Sequence, residues 1–215
     1  VLTVAQLGAA LQEERLPERA VAITFDDGFS SVTRTAAPLL LERGLSATIF
    51  CVADWLGRTN DWPSQPTAIP RRPLATADEL GEIAAAGLEL GAHGVTHAPL
   101  SAGDESQLRR EVVAGRTGLE RSTGAQITSF AYPYGAPGSD LVRGLVAETY
   151  SAACTVDLRA VSGRDDPLSL PRVDVHYVRS VRLLRRALEG SLGPYLGARS
   201  VAARVRRRLV RPRAA

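Results

Sequence analysis

The sequence contains no methionine and no lysine, only two cysteines and only three histidines. No apolar run reaches the length of about 18 residues that a transmembrane helix needs. Cys51 and Cys154 both lie in apolar runs, so we interpret them as reduced core residues, although a disulfide stays open. No secretory signal is visible at Val1, which slightly favours a cytoplasmic location; a chain without methionine that begins at Val1 is equally compatible with a missing native segment.

What the chain does contain is enough apolar sequence for one sizeable core. It has 215 residues, of which 45% are hydrophobic and 23% charged, so bulk disorder is excluded. Residues 199–215 form an Arg-rich tail, and we divide the chain into a catalytic domain over 1–198 and this tail. The tail could contact an anionic polymer or membrane headgroups, but a solvated terminus is the favoured interpretation. Because it lacks interleaved aromatic residues, no nucleic acid partner is expected.

Short apolar runs alternate with helical patterns along the whole chain. This alternation predicts an α/β fold of parallel βαβ units, closed as a barrel or open as a wound sheet. The predicted strands are 20–25, 45–52, 88–92, 127–132, 151–156 and 170–176. The predicted helices are 3–14, 31–43, 76–86, 104–122, 139–149 and 180–188. A Pro-rich segment, 59–73, reads as a long surface loop.

Chemically active side chains follow several of these strands. Asp26 and Asp27 end the first strand, and His93, His97 and His176 all fall at the ends of predicted strands. In parallel α/β folds the functional site lies at the carboxyl ends of the strands. A single histidine is more often a packed or solvated residue. Here all three histidines of the chain are predicted at this edge of the sheet, beside a carboxylate pair, and this combination predicts a functional site.

Two histidines four residues apart and a carboxylate make a plausible metal ligand set. Neutral imidazoles and one carboxylate suit a divalent ion such as Zn²⁺ and leave positions for water and substrate. The residues between His93 and His97 are poor helix formers, so a strand end turning into a loop is expected here rather than a helical zinc motif. Adjacent carboxylates on an extended strand point in different directions, so one can bind the ion while the other acts as a base.

Three stretches resemble the first three signature motifs of the polysaccharide deacetylases, which are carbohydrate esterases with a NodB homology domain. They are residues 24–28 (Thr-Phe-Asp-Asp-Gly), 93–97 (His-Gly-Val-Thr-His) and 130–135 (Phe-Ala-Tyr-Pro-Tyr-Gly). They occur in the family's order, and the resemblance covers roughly residues 20–176. It implies a distorted (β/α) barrel of the NodB type, with parallel strands and outer helices.

The resemblance also implies an activity and a set of site residues. The activity is metal-dependent removal of N-acetyl groups from an amino sugar, either in a polysaccharide or in a small glycoside. Asp27, His93 and His97 would hold the metal, most simply Zn²⁺, and Asp26 would be the general base. The backbone N–H of Tyr134 would help to form the oxyanion hole.

The match departs from the family pattern at three points. Ala131 stands where many members have an Arg that orients the catalytic Asp, and we expect Arg172 to supply that guanidinium instead. The fifth motif is degenerate, and His176 is the candidate general acid because it is the only remaining histidine. The fourth motif, an Asp and a Trp, is not recognisable.

These departures keep a second interpretation open, a non-catalytic carbohydrate-binding protein on the same fold. The two tryptophans, Trp55 and Trp62, flank the Pro-rich loop and could stack on a sugar ring, although core packing is an equal alternative for Trp55. An enzyme is the favoured interpretation, because Asp26 is retained together with all three expected ligands.

Overall fold

The chain is built around a parallel sheet of five short strands. The structure, a computed structural model, describes residues 1–210, with side chains as far as residue 201. The strands pair in chain order, each parallel to the next, as β1 (Thr24–Phe25), β2 (Thr48–Cys51), β3 (Glu89–Ala92), β4 (Ser129–Ala131) and β5 (Ala152–Cys154). The sheet curls into half of a barrel with helices around it, which confirms the predicted fold class.

Helices precede, separate and follow the strands, and all six predicted helices are present. They are α1 (Val4–Gln12), α2 (Ala37–Leu41), α3 (Ala77–Ala85), α4 (Glu105–Arg109), α5 (Gly115–Thr123), α6 (Asp140–Thr149), α7 (Val181–Leu188) and α8 (Gly193–Val210). A π-helical turn, Val32–Ala36, precedes α2. A second π-helical turn, Arg110–Ala114, joins α4 to α5. The Thr76 side chain caps α3, and Glu79 completes the capping box.

Successive strand residues serve the two faces of the sheet. Ile49 belongs to the main core between the sheet and the outer helices, whereas Phe50 belongs to a second cluster on the opposite face. There, Phe50 packs with Val4 and Leu7 of α1, so the first helix covers the concave side of the sheet. Cys51 and Cys154 are buried and free, which confirms the interpretation of both as reduced core residues.

The predicted strand over 170–176 is wrong. Only Leu170 makes a parallel bridge, with Cys154. The Thr155 carbonyl, which the next bond of a ladder would use, accepts from the Arg172 side chain, and the Arg172 N–H donates to the Asp157 carbonyl instead. The chain then forms a short 3₁₀ helix, Val175–Tyr177, whose first turn is closed by the Asp174 carboxylate accepting from the His176 N–H at 2.8 Å. His176 therefore leaves the sheet instead of extending it.

Helix α8 was not predicted from the sequence. Pro194 lies near its first turn, where proline costs a helix little, so the Gly-Pro pair begins a helix here rather than ending one. This helix runs across the boundary predicted between residues 198 and 199, and residues 211–215 of the predicted tail lie outside the described residues. The domain division stays a prediction. Within residues 1–210 no helix combines the length and apolarity needed to cross a membrane.

Candidate active site

The carboxylate pair lies directly after β1. Asp27 has a left-handed backbone, with φ 71°, and Gly28 follows with φ 73°. The chain therefore turns sharply after Asp26, and the two carboxylates contact different partners: Asp26 contacts Arg172, and Asp27 faces two histidines. The pair is therefore separated by this turn and not by strand alternation, because β1 ends at Phe25.

Asp26 is held by a bidentate pair with Arg172. Arg172 Nη1 donates to Asp26 Oδ1 at 2.6 Å and Nη2 donates to Oδ2 at 2.9 Å. The guanidinium is itself oriented, because Nε donates to the Thr155 carbonyl at 2.9 Å and the group lies 5.8 Å from the centre of the Phe50 ring. Arg172 thus supplies, from beyond β5, the guanidinium that Ala131 cannot.

This pair controls the protonation of Asp26. Burial acts to raise the pKa of Asp26, but the charge of Arg172, helped by His93 and His97, outweighs it and holds that pKa below its usual value. The same pair raises the pKa of Arg172 despite its burial. Asp26 is therefore a carboxylate at neutral pH, and Arg172 leaves its oxygens able to accept further hydrogen bonds.

The second cluster combines Asp27 with His93 and His97. Asp27 Oδ1 lies 3.6 Å from His93 Nε2 and 3.5 Å from His97 Nε2. One ligand atom from each residue lies within 4.8 Å of the others, and both imidazoles are buried. Among the residues whose side chains are described, this is the group of three acidic, His or Cys residues arranged to hold a metal ion.

The protonation of the two histidines suits a metal site. His93 Nδ1 lies 2.7 Å from the Ala131 carbonyl, so Nδ1 carries the proton and the Nε2 lone pair is free. Burial, together with the charge of His93, lowers the pKa of His97 to about 3, so His97 is neutral at pH 7. Burial and the charge of Asp26 raise the pKa of Asp27, against the effect of His93; a bound cation would reverse this.

A buried glutamate, Glu111, holds the loop between the two histidines. Its Oε2 accepts from the N–H groups of Val95 at 2.8 Å and Thr96 at 2.9 Å, and its Oε1 accepts from Thr96 Oγ1 at 2.6 Å. Gly94 has φ 83°, and a Cβ there would lie 2.8 Å from Glu111 Oε2. Glu111 was not among the residues predicted from the sequence. Its signal was an acidic residue on the apolar face of the predicted helix 104–122, beside Val112.

The Pro-rich loop covers the outer side of His97. The Trp62 ring stacks on the His97 imidazole, with 4.4 Å between centroids and an interplanar angle of 28°. Trp62 is only 2% exposed, so this contact, and not a sugar ring, accounts for its position. Trp55 is partly exposed and meets Trp62 edge-on at 6.0 Å. Ser64 Oγ donates to the His97 carbonyl at 2.9 Å and accepts from Tyr134 OH at 2.9 Å.

Backbone strain concentrates at this site. Five non-glycine residues of the described chain have a positive φ, and three of them are Asp27, His97 and Tyr134. Tyr134, at φ 58° and ψ 9°, follows β4 in the short turn Pro133–Gly135, and its ring lies 4.8 Å from that of His97. Left-handed backbone costs such residues about 1 kcal/mol or more, and clusters of it are typical of functional sites.

The structure does not bring His176 into this group. His176 is exposed in the 3₁₀ helix, and its side chain contacts Tyr177 and Arg179. The other predicted site residues do meet at one edge of the sheet: Asp26, Asp27, His93, His97, Tyr134 and Arg172. The general acid was assigned to His176 because it is the only remaining histidine, and that assignment stays a prediction, although the strand end on which His176 was placed does not form.

Comparisons with known proteins place the chain in a family. The family model described as polysaccharide deacetylase matches residues 13–152, about two thirds of the sequence. YxkH of Bacillus subtilis, named for that family, is 25% identical over 175 residues, which cover 81% of this chain. The chain spans only 58% of the length of that relative.

Solved structures agree at the level of the fold. IcaB from Ammonifex degensii has a TM-score of 0.65 and 23% identity, with 87% of each chain covered. The Streptococcus pyogenes deacetylase PplD, solved in complex with acetate, has a TM-score of 0.65 and 22% identity, covering 77% of this chain and 69% of that one. The family match over most of the sequence and these folds lead to one conclusion: this chain belongs to the polysaccharide deacetylase family.

Proposed function

We propose that this protein is a metal-dependent hydrolase that removes N-acetyl groups from an N-acetylated amino sugar. The observation that carries the proposal is the division of the carboxylate pair. Asp26 is held ionised by Arg172, while Asp27 faces His93 and His97. A base beside a metal site is what hydrolysis of an unactivated amide requires, because water is a weak nucleophile at neutral pH.

The donor set fits a divalent ion. Asp27 Oδ1 and the Nε2 atoms of His93 and His97 would hold it, and two nitrogens with one oxygen suit Zn²⁺. Such an ion, when bound, polarises the amide carbonyl and lowers the pKa of water towards about 7. The neutral state of His97 and the Nδ1 proton of His93 support this assignment, since both leave a ring nitrogen able to coordinate.

Asp26 carries the proton in the proposed reaction. One carboxylate oxygen accepts a proton from the attacking water while Arg172 keeps both oxygens in place. Water oxygen then bonds to the acetyl carbon, the C–N bond breaks, and the leaving nitrogen takes up a proton. Because the pKa of Asp26 is low, its protonated form is a good donor, and we assign it the return of that proton to the amine.

Two further features support a carbonyl substrate and an acetyl group. The N–H of Tyr134, in the strained turn after β4, is our candidate donor to the negative charge that develops on the carbonyl oxygen. Acetate, with which the similar Streptococcus pyogenes deacetylase was solved, is the product that this reaction releases. The family name points to a carbohydrate as the remainder of the substrate.

The direct test is acetate release from N-acetylglucosamine oligomers and from small N-acetyl glycosides. We expect release by the wild type, loss of release with a chelator, and recovery on adding Zn²⁺. Asp26→Asn should lower the rate by about 10²- to 10⁴-fold. The exposed Asp78 in the first turn of α3 offers a matched control, and Asp78→Asn should leave the rate unchanged.

One outcome would overturn the proposal. If the protein binds one metal ion per chain and still releases no acetate from any of these substrates, it is not an N-acetyl hydrolase for amino sugars. A non-catalytic carbohydrate-binding protein would then be the better assignment.

A further inference from the structure

Helix α7 exposes an apolar stripe that does not pack against the core. Leu183 and Ala187 pack on the small C-terminal core with Val178 and Leu192. Val181, Leu184 and Leu188 lie beside this contact, but they are 76%, 44% and 43% exposed. At 100° per residue, the apolar residues of α7 span about 160° around the helix, of which Leu183 and Ala187 span only about 40°. The outer part of this arc, Val181, Leu184 and Leu188, is called here the α7 stripe.

Arginines border the α7 stripe on its solvent side. Arg182, Arg185 and Arg186 are exposed and occupy the rest of the helix surface. Glu189 is the one acidic neighbour in the sequence of α7 and its caps. An exposed apolar strip beside exposed arginines is the composition of a helix that lies in the interface of an anionic membrane.

The charge of the chain also differs between its C-terminal segment, which contains α7, and the rest. Residues 172–215 contain twelve Arg and two acidic residues, whereas residues 1–171 contain fourteen Arg and twenty-one acidic residues. The net positive charge of the protein is thus confined to its C-terminal segment. An anionic surface would attract this segment and repel the remainder, which would orient the molecule.

We propose that the α7 stripe and its arginines form a docking surface for an anionic phospholipid bilayer. The apolar side chains enter the interface, and the arginine stems extend along it so that their guanidinium groups reach the lipid phosphates. The exposed leucines favour a bilayer over nucleic acid, because a phosphodiester backbone offers no apolar layer to receive them. The surface does not include the candidate active site, so this proposal does not depend on the proposed activity.

Vesicle sedimentation of the full chain tests the proposal. The probes are vesicles of phosphatidylcholine alone and of phosphatidylcholine mixed equally with phosphatidylglycerol. At about 0.1 M NaCl we expect binding to the anionic vesicles at least about tenfold tighter than to the neutral ones. At about 1 M NaCl, where the Debye length falls from about 10 to about 3 Å, this difference should largely disappear.

Variants separate the apolar from the electrostatic contribution. The double change Leu184→Gln and Leu188→Gln keeps the charge of the helix and should weaken binding to anionic vesicles about tenfold or more. Leu39→Gln is the control: Leu39 is 48% exposed on α2, far in sequence from α7 and its arginines, and this change should leave vesicle binding unaltered. Thermal unfolding followed by circular dichroism checks that each variant folds.

Three outcomes would overturn the proposal. Equal binding to neutral and anionic vesicles would remove the arginines from it. Unchanged binding of the double variant would remove the α7 stripe and leave only a general electrostatic attraction. A wild-type dimer that becomes a monomer in the double variant would identify the occupant of the stripe as a second copy of the chain.

Discussion

The edge of the sheet that carries Asp26 and the segment that follows β5 differ in how firmly they hold their side chains. At the sheet edge, short strands fix where the chain stops, and buried partners fix each functional side chain: Arg172 for Asp26, Ala131 and Trp62 for the two histidines. From residue 171 to residue 210, the chain consists of turns, one 3₁₀ helix and two α-helices, and α7 has much exposed surface. The first region is built to hold groups still, whereas the second presents groups to the surroundings.

Arg172 is the point at which the two regions meet. It belongs by sequence to the segment after β5, yet its side chain is partly buried and its guanidinium donates to Asp26 and to the Thr155 carbonyl. His176, only four residues further on, is exposed. The comparison therefore predicts that effects of substitution fall steeply between these two positions, and the following variants test this from the largest expected effect to the smallest.

Loss of a metal ligand should have the largest effect. We expect His93→Ala to weaken Zn²⁺ binding by more than about 100-fold and to abolish acetate release, because the imidazole is buried, correctly protonated and directed at Asp27. Zn²⁺ titration with a competing chelator measures the affinity. A variant that still binds one Zn²⁺ with wild-type affinity would contradict the assigned ligand set.

Arg172→Gln should change the pH dependence as well as the rate. Burial raises the pKa of Asp26 and Arg172 lowers it, so removing the guanidinium leaves burial less opposed and the pKa rises. Asp26 then becomes protonated at a higher pH, and the acidic limb of the kcat/KM profile should move upward in pH. We also expect a loss of about 10- to 100-fold at neutral pH.

The control for this variant is Arg159→Gln. Arg159 also makes a bidentate pair with an aspartate, Asp165, but in an exposed part of the segment after β5. It should leave both the rate and the acidic limb unchanged. A uniform loss in Arg172→Gln with an unmoved limb would mean that Arg172 acts only by supporting the local structure.

Glu111→Gln should have an intermediate effect. The neutral amide can accept fewer and weaker hydrogen bonds from the loop between the histidines, which should reduce Zn²⁺ affinity about tenfold and the free energy of unfolding by about 1–3 kcal/mol. Glu120→Gln, at a partly buried pair with Arg116, serves as the control for stability without an effect on Zn²⁺. Equal Zn²⁺ affinity in wild type and Glu111→Gln would show that the loop holds its shape without this carboxylate.

His176→Ala should have the smallest effect. An exposed side chain in contact only with its sequence neighbours gives no reason for a change in rate beyond about twofold. A fall of about 10² or more in kcat, with Zn²⁺ binding intact, would restore His176 as the general acid. It would also mean that the segment after β5 moves towards the sheet during the reaction.

The sequence predicted site residues that directly follow a regular strand, but it did not predict the structure of irregular segments. A strand ending in Asp26-Asp27 and a strand ending in His93 can be recognised from apolar runs alone, because parallel strands bring their carboxyl ends to one edge. The pairing of Arg172 with Asp26 could be predicted because Ala131 stands where many family members have an arginine, so another guanidinium was expected to pair with Asp26. The distance between the Arg172 guanidinium and the Asp26 carboxylate could not be predicted, since the chain between residues 155 and 172 follows no periodic pattern.

The remaining failures have the same physical origin. The strand over 170–176 was predicted from the local sequence, but the Arg172 side chain occupies the Thr155 carbonyl that the next bond of a ladder would need. Glu111 and Trp62 act through contacts with the histidine loop that join residues 15 to 35 positions apart in the sequence, and such contacts leave no periodic signal. Tertiary contacts, not local preference, decide these positions.

The most direct test of the central claim compares the two adjacent carboxylates in one experiment. Zn²⁺ affinity and acetate release are measured together for the wild type, Asp26→Asn and Asp27→Asn. The account predicts that Asp26→Asn binds Zn²⁺ nearly as well as the wild type but hydrolyses about 10²- to 10⁴-fold more slowly, whereas Asp27→Asn loses both. Loss of Zn²⁺ in both variants, or acetate release by Asp26→Asn at the wild-type rate, would contradict it.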